Sequence, residues 1–258
     1  MLLARLVVVV LGTVAAGNVM AAVDIRIVYD NTSANDGLTA DWGFSAVITT
    51  GAERILFDAG QDPALFLRNL SLLSIDPASI THAIISHHHA DHRQGLFRLA
   101  SRNRRMKAYF LQSFPRDLFE VAAAVGLRPI QVTGPLEIAP GIHTTGPIDG
   151  SPPEQALLVE TGQGAIMIVG SGHPGVARMV EAAEEQLGLN SLRLLLGGFP
   201  LMRMRDEEIL REIGRLKALG VRQVAPAHST GERAKRLFRQ AFGTNYRPAG
   251  AGRVLVLE

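Results

Sequence analysis

Apolar and polar positions change their period repeatedly along this chain, and those changes lay out its elements. Asp24–Tyr29 is apolar and β-branched and reads as a strand. Ser45–Thr50 and Arg54–Phe57 flank Gly51-Ala52, the pattern of a hairpin. In Pro63–Leu73 the residues Leu65, Phe66, Leu70 and Leu73 recur at helical spacing. Thr81–Ile85 and Lys107–Leu111 read as short buried strands, and Arg116–Val125 as a helix stopped by Gly126. Pro135–Ile148 is rich in Gly and Pro and holds short strands. The second half repeats the style. Ala156–Glu160 and Ala165–Val169 flank Gly162-Gln163-Gly164, a second hairpin. Helices are predicted over Val176–Leu187, Asp206–Leu219 and Glu232–Phe242, each followed by a glycine. Leu192–Leu196, Gln223–Ala225 and Arg253–Leu257 read as strands.

Each half therefore opens with a hairpin and continues with strand–helix units. That order predicts an α/β protein built as a four-layer αββα sandwich, with two mixed sheets face to face and helices outside. A doubly wound parallel sheet needs stricter strand–helix alternation. No linker interrupts residues 23–258, so one domain is expected there. With 258 residues, 47% of them hydrophobic, the chain can bury a large core, which excludes a disordered chain.

Charge and cysteine usage narrow the chemistry. The net charge is +2 and no Lys/Arg block stands out, so no nucleic-acid partner is implied. There are 0 cysteines, which removes disulfides, thiolate ligands and cysteine nucleophiles together. Any metal must then sit on His, Asp or Glu. At the amino terminus, Arg5 precedes an apolar run from Leu6 to Ala16, and Val19 and Ala21 have the spacing of a cleavage site. Residues 1–22 read as a secretory signal peptide. The expected mature protein is periplasmic or secreted, is free of the membrane after cleavage, and acts on a small molecule.

The strongest chemical signal is Ser86-His87-His88-His89-Ala90-Asp91-His92, directly after the strand Thr81–Ile85. Four imidazoles and one carboxylate crowd into six residues. Protonated, the imidazoles would repel one another; neutral imidazole and ionised carboxylate are the forms that bind a divalent ion. The spacing serves two ions, His87 and His89 pointing to one and Asp91 and His92 to the other, with His88 facing away. His173 and His228 each follow an apolar strand and precede a helix, where a rigid sheet delivers functional side chains. An all-His/Asp site suits zinc, as one or two ions, and also iron or manganese.

His87-x-His89-x-Asp91-His92, with Leu56-Phe57-Asp58-Ala59-Gly60 upstream, resembles the hallmark of the metallo-β-lactamase-fold hydrolase superfamily. The resemblance implies that Asp58 stands behind the ligands and steadies the metal loop. Within the superfamily the chain is most similar to the dihydropterin ribofuranosylaminobenzene-phosphate synthase-like branch. That similarity rests on Asp30-Asn31, Gly170-Ser171-Gly172-His173-Pro174-Gly175, His228-Ser229-Thr230-Gly231 and Gly250-Ala251-Gly252. It implies that His173 and His228 complete the ligand set.

The chain also departs from the branch. Pro200, in Gly197-Gly198-Phe199-Pro200, stands where the branch has a histidine, and Pro147, after Thr145-Gly146, stands where it has a glutamate. Ser171 and Ser229 replace its two cysteines, as suits an oxidising compartment where thiols beside a metal are liabilities. His143 reads as an ordinary strand histidine, with ligation as the alternative. Asp30 and Asn31 read equally as a turn or as the mouth of the site. Trp42 and Phe44 read as an apolar wall or as core. Met202, Arg203, Met204 and Arg205 read as a solvated approach to a helix, with contact to an anionic substrate as the alternative. Changes at Phe199 or Pro200 are expected to alter substrate preference only.

The expected function is metal-dependent hydrolysis of an ester, lactone, amide or phosphoester, the ion activating a bound water, with Asp91 orienting it and Asp58 behind the ligands. A pterin-related synthase and a non-catalytic metal-binding or sensing protein are the alternatives.

Overall fold

The computed structural model describes residues 22–104, 106–189 and 191–258. The signal peptide expected over residues 1–22 lies outside the described residues but for Ala22. Six strands open the chain: β1 (Val23–Tyr29), β2 (Ser45–Thr50), β3 (Glu53–Phe57), β4 (His82–Ile84), β5 (Lys107–Leu111) and β6 (Arg128–Val132). They lie side by side in that order, antiparallel from β1 to β3 and parallel from β3 to β6. A second sheet repeats the plan. Its meander is β7 (Leu136–Ala139), β8 (Ile142–Thr144), β9 (Leu157–Val159) and β10 (Ala165–Val169), followed by parallel β11 (Leu192–Gly198) and β12 (Gln223–Ala227). The last strand, β13 (Val254–Leu257), returns to pair antiparallel with β1. The turns at Gly51 and Gly162 thus hold equivalent places, each closing the hairpin whose second strand starts the parallel part of its sheet.

Alternation along the strands puts the sheets face to face. In β10, Ile166 and Ile168 join the core with the first sheet, whereas Ala165, Met167 and Val169 face the helices behind. Both faces being covered, β10 is buried at every position, at roughly 1.5–3 kcal/mol for each large apolar side chain. The helices α1 (Pro63–Leu72), α2 (Ala90–Leu99) and α3 (Arg116–Ala124) cover the first sheet, and α4 (Val176–Leu187), α5 (Asp206–Ala218) and α6 (Glu232–Phe242) the second. The αββα order is the one the hairpin-first pattern predicts. No described helix is long and apolar enough to cross a membrane.

Two elements carry weak sequence patterns. The edge strand β6 contains Pro129, a residue a sheet tolerates at its edge. Helix α2 starts inside the histidine cluster, so its first turn is polar, and Gly95 interrupts its apolar stripe. That glycine has a packing reason. A Cβ there would lie 2.1 Å from the Ala59 carbonyl oxygen and 2.6 Å from the Phe66 ring. The contact seats α2, and with it Asp91 and His92, against the loop after β3. Gly95→Ala should therefore cost about 1–3 kcal/mol by overpacking, despite the better helix propensity of alanine. Urea unfolding reads this; an unchanged midpoint would show that α2 is not seated by this contact.

Candidate metal centre

Strand β3 delivers Asp58 to the carboxyl edge of the first sheet. Its backbone is left-handed, with φ of 56°, a conformation that a non-glycine residue adopts at a cost. The side chain is fully buried. Oδ1 accepts the Ser86 N–H at 2.7 Å; Oδ2 accepts the Ser86 hydroxyl at 2.8 Å and His92 Nδ1–H at 2.7 Å. The single Ser86 hydroxyl proton is thus committed to Asp58, and its oxygen accepts from His87 Nδ1, 2.9 Å away. This network makes Nδ1 the protonated ring nitrogen of both His87 and His92 and turns their Nε2 atoms away from Asp58, that of His92 to within 2.9 Å of Ser171 Oγ. The space is tight: a Cβ on Gly170 would lie 2.1 Å from Ser86 Oγ.

These Nε2 atoms meet the second sheet. His87 Nε2 faces His173 Nε2 at 3.2 Å, and His89 stacks edge-on against both rings. His228 follows β12, itself left-handed at φ 40°, and its Nε2 lies 3.4 Å from Asp91 Oδ2. Two donor groups result, His87/His89/His173 and Asp91/His92/His228, each with its donor atoms within 4.8 Å of one another. They adjoin, the His87 and His92 ring centroids being 4.2 Å apart. His87, His92 and His228 are buried, His173 and Asp91 half-buried, and His89 exposed.

Residues 39–109, which include Asp58 and the His87–His92 cluster, match the sequence profile of the metallo-beta-lactamase superfamily. The chain has the metallo-beta-lactamase fold. It is 29% identical over 247 residues to the 7,8-dihydropterin-6-methyl-4-(beta-D-ribofuranosyl)-aminobenzene-5'-phosphate synthase of Methanocaldococcus jannaschii, covering 79% of this chain and 84% of that protein. The crystal structure of a metal-dependent hydrolase of the beta-lactamase superfamily superposes with a TM-score of 0.77 at 25% identity, covering 90% of this chain and 98% of its own. The metallo-beta-lactamase fold protein YhfI from Bacillus subtilis shares the fold at 14% identity, with a TM-score of 0.69 over 91% of this chain and 99% of its own.

The donors in this metallo-beta-lactamase fold fit a divalent ion by their protonation. Burial, then the neighbouring imidazoles, hold His87 well below the usual histidine range. Burial and the same neighbours lower His173 to about 4. Burial also lowers His89 and His228. For His92, burial is outweighed by the Asp58 carboxylate, and its pKa is raised. Burial pushes Asp91 up, but its hydrogen bond to His228 and the fields of His92 and His228 hold it well below the usual carboxylate range. Most of the imidazoles are thus neutral and Asp91 is ionised, the states that coordinate a metal.

Supporting residues hold the donors from behind, Asp30 and Asn31 marked in the sequence and Glu154 not. Asp30 and Asn31 do more than turn the chain. Asp30 Oδ1 accepts the His228 N–H at 2.6 Å, while Asn31 Oδ1 accepts from His228 Nδ1 at 3.0 Å and its Nδ2 donates to the His228 carbonyl at 3.2 Å. Glu154, fully buried, accepts the N–H groups of Gly170, Ser171, Gly172 and His173 at 2.8–3.1 Å. Burial raises its pKa against the pull of those donors. The segment Pro152-Pro153-Glu154-Gln155 reads as an ordinary polar loop; only the fold brings Glu154 under the His173 turn. Trp42 lies edge-on to His228, centroids 4.9 Å apart, and is 45% exposed. Phe44 is core.

Other candidates fall outside both groups. His88 packs edge-on to Phe114, and its carbonyl accepts from Arg93. His143 pairs with Glu160 at 3.1 Å, as a strand histidine. Met202 and Met204 are exposed, and Arg205 starts α5 with Glu208. Phe199 corrects an expectation: it is fully buried and packs on Phe238, so its role is in the core rather than in substrate preference.

Phe199→Ala should accordingly cost about 3–5 kcal/mol, read by urea unfolding. A pH dependence follows from the lowered histidines. With His173 at about 4 when folded, against roughly 6.5 unfolded, the unfolded chain binds the proton first between those values. Stability of the metal-free protein is then full above pH ~6.5 and falls as pH drops toward 4. His87, His89 and His228 act in the same direction and His92 opposes them. Metal-free Tm should be lower at pH 5 than at pH 7, and His173→Gln should flatten the slope; a slope unaltered by that change would show that His173 is not held neutral.

Proposed function

We propose that this chain is an exported metal-dependent hydrolase acting on a small ester, lactone, amide or phosphoester. The observation that carries the reading is the pair of adjoining donor groups, His87/His89/His173 and Asp91/His92/His228, each with its donor atoms within 4.8 Å of one another. A divalent ion held by such groups supplies Lewis acidity and a lowered pKa for water; zinc is proposed, as one or two ions.

The chain's own residues divide the remaining work. Asp91 stays ionised beside His228 and is placed to orient a proton donor at its Oδ2. Asp58 and Ser86 orient His87 and His92 through Nδ1, so that Nε2 of each ring faces the other donors. The N–H groups of residues 170–173 are all committed to Glu154, so this turn is not an oxyanion hole. Trp42 offers a half-exposed apolar wall beside His228, suited to the flat or apolar part of a substrate.

The Methanocaldococcus jannaschii relative favours a second reading, a pterin-related synthase. Pro200 and Pro147 weigh against it, because they remove a histidine and a carboxylate that the branch carries. Export weighs against it as well, and rests on the pattern of residues 1–22 and on the absence of cysteine.

Metal analysis of the purified protein, coupled to a panel of ester, lactone, lactam and phosphodiester substrates, tests the reading. Chelation should abolish turnover and added metal restore it. His89→Ala and Asp91→Ala, one from each group, should each lose metal and reduce turnover by orders of magnitude while the fold persists. A fully active metal-free protein would overturn the hydrolase reading; tight metal binding with no turnover on the whole panel would favour a binding or sensing role. Amino-terminal sequencing from the native host should begin near residue 23, and an intact Met1 in the soluble fraction would refute export.

A further inference from the structure

Two neighbouring polar residues in one loop touch both halves of the first donor group. Glu154 grips the turn that carries His173 through four backbone N–H groups, three on Oε1 and that of His173 on Oε2. Gln155 grips the strand end that carries His87. Its backbone N–H donates to the Ser86 carbonyl at 2.9 Å, and its side-chain Nε2 donates to the carbonyls of Ile85 at 2.8 Å and Tyr109 at 3.2 Å. Its Oε1 accepts the Thr144 hydroxyl at 2.6 Å. Both residues are fully buried. One dipeptide thus bridges the two sheets at the point where His87 Nε2 and His173 Nε2 stand 3.2 Å apart.

The second donor group has its own dipeptide. Asp30 and Asn31, at the end of β1, hold the backbone and the ring of His228. His92 is oriented separately by Asp58, so the contact that Ser171 Oγ makes with its Nε2 at 2.9 Å is not what places it. No described ion pair satisfies Glu154; four N–H dipoles hold its carboxylate instead. A glutamine there keeps one oxygen for the three N–H groups on Oε1 and turns an amide N–H₂ toward the His173 N–H, which loses its acceptor.

We infer that Glu154 and Gln155 are positioning residues that set the His87–His173 spacing and so control occupancy of one ion site, while Asp30 and Asn31 control the other. The inference rests on reading the two donor groups as ion sites. It makes the two sites separable by substitutions that touch no ligand.

The chain has a single tryptophan, and that residue, Trp42, stands against His228. Its fluorescence therefore reports loading of the Asp91/His92/His228 group. The experiment titrates zinc into the chelated full chain and reads both bound metal per chain and Trp42 fluorescence. Wild type should bind two ions; a single ion would overturn the inference, and none would overturn the ion-site reading itself. Glu154→Gln should weaken one ion by about 10–100-fold, as losses behind the ligands do, with the Trp42 midpoint within about threefold of wild type. Asn31→Ala should shift the Trp42 midpoint by about 10–100-fold and leave the other ion in place. Should Glu154→Gln fail to fold by circular dichroism, Gln155→Ala carries the same expectation. Two ions at wild-type affinity in the Glu154 or Gln155 variant, or a Trp42 midpoint that moves as far as the affinity of the lost ion, would overturn the inference.

Discussion

The buried carboxylate of Asp58 is the interaction on which the rest of the centre depends. It stands at the end of β3, in a backbone conformation that costs energy, and draws three donors onto two oxygens. Burying an isolated carboxylate costs several kcal/mol, and hydrogen bonds to a charged group return roughly 1.5–3 kcal/mol each. The balance is favourable only while all three donors are present. That condition locks the end of β3, the Ser86 turn after β4 and the start of α2 into one arrangement. Gly95 serves the same arrangement from behind by letting α2 approach the Ala59 carbonyl.

From that anchor the protonation of the site follows. Ser86 passes the orienting effect of Asp58 to His87, and His92 receives it directly. Crowding and burial then keep His87, His89, His173 and His228 neutral. A surface cluster of the same residues would be solvated and partly protonated, each ring free to turn. Here the rings are held by partners that are not ligands, so the donor set is organised before any ion arrives.

The departures from the synthase branch are local. The Asp58–Ser86–His92 network and both donor groups are present, whereas Pro200, after the buried Phe199, and Pro147, after Gly146, belong to neither donor group. Under the proposed function, the frame that would hold an ion and the surface that would meet a substrate are built from different residues, with Trp42, half exposed beside His228, in the second set. Fold and donor set can persist while the reaction partner changes.

What the sequence determined by itself is local. The periods of 2 and 3.6 mark the two hairpins and most helices, including Val176–Leu187 and Glu232–Phe242 to the residue. The crowding of His87, His89, Asp91 and His92 within one loop announces a metal without any knowledge of the fold. Helix α2 and strand β6 stay hidden because a polar first turn and Gly95, or an edge proline, break the period that would reveal them. The tertiary structure decided how distant residues reach that loop. His173 and His228 are marked in the sequence by their place after apolar strands and by the family resemblance, but it is β10 and β12 that bring them to the edge where β4 ends. Glu154 looks like a loop residue and Asn31 equally like a turn, because the groups they hold lie up to 197 positions away. A hydrogen bond to a backbone N–H demands only an acceptor at the right place, so it leaves no period, no spacing and no composition to be read along the chain.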